Sequence, residues 1–237
     1  MVYVLSDIHG NERRFQSVLK QINLQREDTL YVLGDVIDRH PGGIRILRRI
    51  MAMPNAVMLL GNHEYMMLRA LGFPRDDYRD DGGALAHWYR NGGGVTHASF
   101  KRIRKTTRRE IIDYLLNLPL NVDLELDGTT YKLAHAAPME AFEPQGRYKN
   151  PIYFAVWKRF EKDYTFPGRY ILVFGHTPTQ YFQEQIPMEV WYGSRMIGID
   201  CGSGYPEAGP ESEYGRLACL RLDDGKVFYS EEERDDS

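Results

Sequence analysis

The 237-residue chain has little of what marks secreted or membrane proteins. Its two cysteines, Cys201 and Cys219, show no Cys-x-x-Cys spacing, which argues against a disulfide framework and against a thiolate zinc site. No apolar run approaches the ~20 residues that a membrane-spanning helix needs. The N-terminus lacks a basic stretch followed by an apolar leader segment. We therefore expect a soluble, cytoplasmic protein that makes no contact with a membrane.

An excess of charge of one sign is also missing. The chain has 30 Lys and Arg against 33 Asp and Glu, a net charge of −3. This balance gives no general attraction to nucleic acid or to anionic lipid, so neither is an expected partner. The exception is a cluster of cationic residues, which comprises Lys101, Arg102, Arg104, Lys105, Arg108 and Arg109. We interpret it as a solvated helical face, with docking of an acidic or phosphorylated protein as the alternative.

What the sequence does have is a regular order of short apolar runs and amphipathic segments. Runs at 2–5, 30–33 and 57–60 predict buried strands. Between the first two runs, apolar residues at i, i+3, i+4 and i+7 predict a helix over 11–23 with Asn11 as its N-cap. A second helix is predicted to begin with Pro41 in its first turn. Alternating strands and helices are typical of a parallel sheet.

The remainder of the chain changes character twice. Residues 72–118 are rich in charge and glycine and have a helical pattern. We interpret them as a helical excursion from the sheet, and we expect this excursion to form one wall of the binding cleft. Further strands and one helix are then predicted at 121–126, 130–133, 152–160 (the helix), 170–174, 196–199, 217–222 and 226–229. Asp127-Gly128 and Asp224-Gly225 are hairpin turn signals. We predict one domain over 1–230 and an acidic flexible tail at 231–237.

Metal-type side chains follow the predicted strands. Three groups come directly after the first three runs: Asp7-Ile8-His9-Gly10, Gly34-Asp35-Val36-Ile37-Asp38-Arg39 and Gly61-Asn62-His63-Glu64. His135 and His176 each follow a later predicted strand. Ligands in open α/β sheets bind beyond the carboxyl ends of strands, so we expect these groups to meet at one rim.

Carboxylate, imidazole and amide groups suit divalent Mn, Fe or Zn. The candidate metal ligands are Asp7, His9, Asp35, Asn62, His135 and His176. This number exceeds what one ion needs but fits two ions that share a carboxylate. Two-metal sites activate water and hold both oxygens of an in-line displacement, which suits hydrolysis of phosphate esters.

Taken in order, these motifs, with His135-Ala136 and Gly175-His176-Thr177, resemble the calcineurin-like metallophosphoesterases. Within that group the chain most resembles the phosphoprotein phosphatase family in its short bacterial and phage form. The resemblance covers nearly the whole chain. It implies an α/β fold in which two mixed β-sheets pack as a sandwich flanked by helices.

The resemblance also implies roles for individual residues. Asp7, His9 and Asp35 would hold a first metal, and Asp35 would bridge to a second metal held by Asn62, His135 and His176. His63 would be the general acid, held and kept charged by Asp38. Arg39 would bind the phosphate through two parallel hydrogen bonds. A second phosphate-binding arginine is expected, and we choose Arg159 over the alternatives Arg147 and Arg169.

The resemblance implies an enzyme, a serine/threonine protein phosphatase that cleaves phosphate esters by direct attack of a hydroxide shared by two metals. Manganese is the expected ion, with iron, zinc or nickel as alternatives. A hydrolase of nucleotide polyphosphates, of the symmetrical diadenosine tetraphosphatase type, is the alternative function. A catalytically silent module that binds phosphoprotein is a lesser one. Ser6 and His40 replace glycines that are usual in the family, and neither change removes a ligand. We expect a monomer.

Overall fold

Two five-stranded sheets carry the fold in the computed structural model, which describes residues 1–76, 82–164, 166, 168–205 and 215–231. The strands are β1 (Val2–Leu5), β2 (Thr29–Val32), β3 (Ala56–Met58), β4 (Asn121–Leu126), β5 (Thr129–Ala134), β6 (Ile171–Phe174), β7 (Trp191–Gly193), β8 (Met196–Gly198), β9 (Ala218–Arg221) and β10 (Val227–Tyr229). The helices are α1 (Glu12–Ile22), α2 (Gly43–Met51), α3 (Asn62–Ala70), α4 (Ala84–Arg90), α5 (Gly94–Arg102), α6 (Lys105–Leu116) and α7 (Pro151–Trp157).

Both sheets are mixed. The first has the order β10-β9-β1-β2-β3, in which β1, β2 and β3 run parallel and β9 and β10 run antiparallel to their neighbours. The second has the order β4-β5-β6-β8-β7, in which β5, β6 and β8 run parallel and the outer strands are antiparallel. The predicted fold class of two mixed sheets with flanking helices is thereby confirmed.

Successive side chains of a strand pack into different apolar layers of the fold. In β1, Tyr3 and Leu5 pack into one apolar cluster with the helices, whereas Val4 packs into a second cluster that also contains Leu133 and Val173 of the other sheet. Successive side chains of a strand point to opposite faces, so one strand serves both clusters. The second cluster is therefore the core between the two sheets. Outward-facing residues of the second sheet form a third cluster that includes Phe154 of α7.

Most predicted elements are present, with shifted ends. Asn11 caps α1 through a side-chain bond from Arg14 N, and the excursion is helical as predicted, forming α4, α5 and α6. Asp127 and Gly128 both have positive φ, as a two-residue hairpin turn requires.

Three details of the prediction were wrong. Pro41 precedes α2, which begins at Gly43 after Gly42. The helix predicted over 152–160 ends at Trp157, because Lys158 has extended backbone angles. Strand β7 was not predicted. The predicted tail lies outside the described residues, except for Glu231. No helix in the described ranges combines the length and apolar character needed to cross a bilayer.

Candidate active site

The ends of five strands place the predicted ligands in one region. Backbone hydrogen bonds join the turns after β1 and β2: Asp7 N donates to Gly34 O at 3.1 Å and His9 N to Asp35 O at 2.9 Å. A further bond crosses from one sheet to the other, because His176 N donates to Asp7 Oδ2 at 2.9 Å. The six candidate ligands are all buried. The turn backbone, rather than the strands, therefore sets their directions.

These turns have an unusual backbone. Ten described residues other than glycine have positive φ, and six of them are candidate site residues: Asp7, His9, Asp35, Asp38, Arg39 and His176. A residue with a side chain in this conformation costs on the order of 1 kcal/mol or more, and such strain concentrates at functional sites. The conformation lets the chain turn sharply at the end of each of these strands, with a polar side chain directed toward the other candidate ligands.

Asp35 lies at the centre of the ligand set. Its Oδ2 is 3.7 Å from His9 Nε2, and its Oδ1 is 3.5 Å from His135 Nε2. His9 Nε2 is also 3.8 Å from Asp7 Oδ1. These separations are too long for hydrogen bonds but close to the distance between two atoms that bind one ion at about 2.1 Å. Two groups with metal-ligand spacing share Asp35: His9 with His63, and His135 with His176.

The imidazole rings are oriented as metal ligands are. His9 Nδ1 lies 3.2 Å from Ile37 O, and His135 Nδ1 lies 2.8 Å from Leu33 O. A carbonyl accepts, so each Nδ1 carries the proton, and in a neutral ring Nε2 keeps a free lone pair. The lone pair of His135 faces Asn62, whose Oδ1 is 2.9 Å away. A cation between these two atoms would satisfy both.

His176 is turned the other way, because its Nδ1 faces the ligand set, 2.8 Å from Asn62 Oδ1. Its buried Nε2 has no hydrogen-bond partner among the described residues. Burial, together with the nearby charge of Arg159, keeps the pKa of His176 well below its usual value. Burial, and then Arg39 and His63, do the same for the pKa of His9. Neutral rings are the form that binds metals.

The surrounding carboxylates need positive charge. Burial, and then repulsion from Asp35, raise the pKa of Asp7. Burial, and then repulsion from Asp7, raise the pKa of Asp200 well above its usual value. Grouping buried carboxylates without cations costs several kcal/mol per charge in order of magnitude. The donor set, the free lone pairs and this group of buried carboxylates all fit divalent cations.

His63 and Asp38 form a dyad beside the ligands. His63 Nδ1 lies 2.7 Å from Asp38 Oδ2, and His63 Nε2 lies 3.8 Å from Asp35 Oδ2. Burial lowers the pKa of His63, but the charge of Asp35 and the hydrogen bond that His63 donates to Asp38 outweigh it, so the net shift is upward. A charged imidazole with one nitrogen fixed and the other facing the ligand set is equipped to donate a proton.

A model of the calcineurin-like phosphoesterase family matches residues 1–196. The chain belongs to this family. Among curated proteins, it is 32% identical to serine/threonine-protein phosphatase 2 of Escherichia coli (strain K12) over 139 residues, 57% of each protein. It is 26% identical to the symmetrical bis(5'-nucleosyl)-tetraphosphatase of Paracidovorax citrulli over 192 residues, which cover 80% of this chain and 62% of that protein. The matches thus span about three fifths of these relatives' lengths.

Solved structures share the fold of this phosphoesterase. A metallophosphoesterase from Sphaerobacter thermophilus matches with a TM-score of 0.55 and 15% identity, covering 98% of this chain and 88% of that one. A protein serine/threonine phosphatase from Saccharomyces cerevisiae matches with a TM-score of 0.53 and 14% identity, covering 99% and 81%. At such low identity the likeness concerns the fold alone.

The two predicted phosphate-binding arginines of this phosphoesterase are exposed and lie near different ligands. A Cβ added at Gly204 would lie 2.7 Å from Arg39 Nη1 and 2.3 Å from His9 Cδ2, so Arg39 reaches the His9 end of the ligand set. Arg159 lies over the Tyr181 ring at 5.7 Å, and its charge acts on His176. The alternative Arg147 donates to its neighbour Tyr148 instead, at 2.9 Å.

Sequence reasoning gave no role to two residues that lie at the site. Glu64 is fully buried and accepts hydrogen bonds from the backbone N–H groups of Asp35, Val36, Ile37 and Gly61. A sequence signal for it existed, because Glu at the third position of a helix is typical of a residue that bonds back to the helix start. Trp88 is fully buried and donates from Nε1 to Asp38 Oδ2 at 2.8 Å. No local pattern marks it.

Proposed function

We propose that this chain is a metal-dependent phosphomonoesterase that removes phosphate from phosphoserine and phosphothreonine in proteins. The observation that carries the proposal is the position of Asp35, whose two carboxylate oxygens face His9 and His135, with the His63 and Asp38 dyad beside it. Two adjacent cation sites and a positioned proton donor at one rim suit the hydrolysis of phosphate esters.

The ligands divide as the family resemblance implies. Asp7, His9 and Asp35 would hold one divalent ion, and Asp35, Asn62, His135 and His176 the other, with manganese as the first ion to test. Such ions supply Lewis-acid activation of water and neutralise phosphate charge.

The remaining chemistry belongs to the side chains. His63 Nε2 donates a proton to the leaving oxygen, while Asp38 holds His63 Nδ1 in place. Arg39 and Arg159 bind phosphate oxygens from the His9 end and the His176 end of the ligand set. A guanidinium can make two parallel bonds to a phosphate, which fixes its orientation for in-line attack.

A second function, hydrolysis of dinucleoside tetraphosphates, has its own support. The match to the bacterial tetraphosphatase extends over 80% of this chain, against 57% for the protein phosphatase, although its identity is lower. The proposed site chemistry suits ester and anhydride cleavage equally. Assays of the manganese-loaded protein on a phosphoserine peptide and on diadenosine tetraphosphate, side by side, separate the two. A kcat/KM at least tenfold higher on the tetraphosphate would overturn the proposed substrate class.

Two substitutions test the site itself. We expect His63→Asn to lower kcat by about 10²–10⁴ while the metal content is unchanged. Asp35→Asn should lose both metals, measured by elemental analysis after dialysis, with the exposed Asp113→Asn on α6 as the matched control. Full activity of His63→Asn would exclude His63 as the acid. Two retained metals in Asp35→Asn would exclude the bridging role.

A further inference from the structure

The helical excursion is hydrogen-bonded to the segment that contains Asp38, one of the two residues of the dyad. Three hydrogen bonds connect it to Asp38 and Arg39. Trp88 Nε1 donates to Asp38 Oδ2 at 2.8 Å, Asp38 N donates to Thr96 Oγ1 at 2.9 Å, and Arg39 N donates to Gly92 O at 3.2 Å. We propose that Trp88 and Thr96 are positioning residues that fix the Asp38 carboxylate and, through it, the proton donor His63; this inference rests on the proposed function.

The backbone of the held segment needs such support. Asp38 and Arg39 have φ angles of 73° and 64°, a conformation that residues with side chains adopt at a cost. Their N–H groups are bonded to Thr96 and Gly92, which belong to the excursion rather than to the sheet. Loss of either acceptor would let the segment relax toward ordinary backbone angles and turn the Asp38 side chain away from His63.

The carboxylate of Asp38 depends on two donors. Its Oδ2 receives both the indole N–H of Trp88 and the Nδ1 side of His63, at 2.8 and 2.7 Å. Its Oδ1 is buried and has no hydrogen-bond partner in the described part of the chain. Without the indole, one bond to His63 would remain to set the rotation of the carboxylate. The orientation of the His63 ring would then be less well defined.

The indole is itself held tightly. Trp88 has no solvent exposure, and its ring lies 5.4 Å from the ring of His97. A Cβ at Gly93 would lie 2.4 Å from the indole nitrogen, so no side chain fits there. At Gly92, with φ of 96°, a Cβ would approach Arg39 N to 3.1 Å. Gly92 therefore permits the close approach between the excursion and Arg39, and Gly93 leaves room for the Trp88 ring.

A positioning role has a distinctive kinetic signature. Proton donation matters most when the leaving oxygen is basic and least when it is a stable anion. Loss of His63 orientation should therefore slow phenyl phosphate hydrolysis more than para-nitrophenyl phosphate hydrolysis. A residue that serves packing alone would slow both to the same extent, because it would lower the amount of active protein.

The first test is Trp88→Phe, which keeps an aromatic ring and removes the N–H donor. We expect kcat on phenyl phosphate to fall by about tenfold to hundredfold, as for loss of a hydrogen bond to a charged group. The fall on para-nitrophenyl phosphate should be at least fivefold smaller, with KM and metal content unchanged. The matched control is Trp191→Phe in β7, whose ring stacks on Phe182 at 4.4 Å, and it should leave the ratio of the two rates unchanged. Equal losses on both substrates would overturn the proposal.

A double-mutant cycle gives an independent test. In an Asp38→Ala background, Trp88→Phe should cost less than twofold in kcat, because the acceptor through which Trp88 acts is already gone. The same loss in both backgrounds would contradict the proposal. Should Trp88→Phe fail to fold, Thr96→Val keeps the indole and a similar volume, and the same change in rate ratio is expected of it. A wild type inactive on both substrates with manganese would instead refute the proposed function.

Discussion

Glu64 offers the sharpest test of how the site is built. Its Oε1 accepts from Val36 N at 2.9 Å and Ile37 N at 3.3 Å, and its Oε2 accepts from Asp35 N at 2.9 Å and Gly61 N at 3.2 Å. One side chain thus satisfies four backbone donors in the turn after β2 and at the start of α3. Both segments carry proposed metal ligands.

The substitution Glu64→Gln keeps the shape and replaces one oxygen with an NH₂ group. Two backbone donors would then face another donor, and each buried donor without an acceptor costs about 1–3 kcal/mol. Burial, and then the charge of Asp35, raise the pKa of Glu64 to about 7, so removal of its charge returns part of this loss. We expect a decrease of about 2–4 kcal/mol in the free energy of unfolding, a large share of the ~5–15 kcal/mol typical of domains.

The assay is urea unfolding of the chelator-treated protein at pH 7.5. The matched control is Glu12→Gln on the surface of α1, where Glu12 bonds Arg45 at 2.6 Å and the arginine side chain is 63% exposed. An exposed pair contributes about 0–1 kcal/mol, so this control should change little. Metal titration should also show about tenfold weaker binding in Glu64→Gln, since outer partners orient ligands. Wild-type stability and affinity in Glu64→Gln would refute the reasoning.

Three further predictions concern charge, space and metal. The pKa of Asp200 is raised, so the folded state keeps a proton that the unfolded chain releases, and this part of the stability is lost as pH rises from about 4. The free energy of unfolding of Asp200→Asn in chelator should therefore rise relative to that of wild type as the pH increases above about 4, by at most about 1.4 kcal/mol per pH unit; a constant difference would contradict this. In Gly175→Ala, the new Cβ would lie 2.1 Å from Ser6 Oγ and 2.2 Å from Asp7 Oδ2. It should cost about 1–3 kcal/mol in urea unfolding and weaken metal binding in calorimetry, and unchanged values would exclude the clash. Manganese at 100 times its Kd should raise the unfolding free energy by about 2.7 kcal/mol per site in thermal melts, and Asp35→Asn should show no such gain.

The sequence allowed the strands and the ligand candidates to be predicted, because both depend on local chemistry. Buried strands require apolar runs, and divalent ions require a few kinds of donor. The exact strand ends were less predictable. Strand β3 ends at Met58 although Leu59 and Leu60 are equally buried. Leu59 N still bonds Val32 O of β2, but Leu60 N bonds Pro119 O outside the sheet. An apolar run in the sequence indicates which residues are buried, whereas the limits of a strand depend on its backbone hydrogen bonds.

The role of Trp88, and the role of Glu64 beyond its bond to the helix start, could not be assigned from sequence because the partners are remote. Trp88 bonds a carboxylate 50 residues earlier, and Glu64 bonds backbone groups up to 29 residues earlier. From the sequence alone, an indole or a carboxylate has many possible hydrogen-bond partners at such a distance. The contact becomes specific when the fold buries the group and removes water as a partner.

The same two residues explain how a strained site persists. Left-handed backbone at Asp35, Asp38 and Arg39 would relax if the chain were free. Glu64 binds the N–H groups at the first of these positions, and the excursion binds those at the other two. Glycine would remove the strain at each position, but it would also remove the side chain to which we assign a role: a metal ligand at Asp35, an orienting carboxylate at Asp38 or a phosphate-binding guanidinium at Arg39. The hydrogen bonds to Glu64 and to the excursion therefore offset the strain of residues with side chains at positions where the backbone conformation favours glycine.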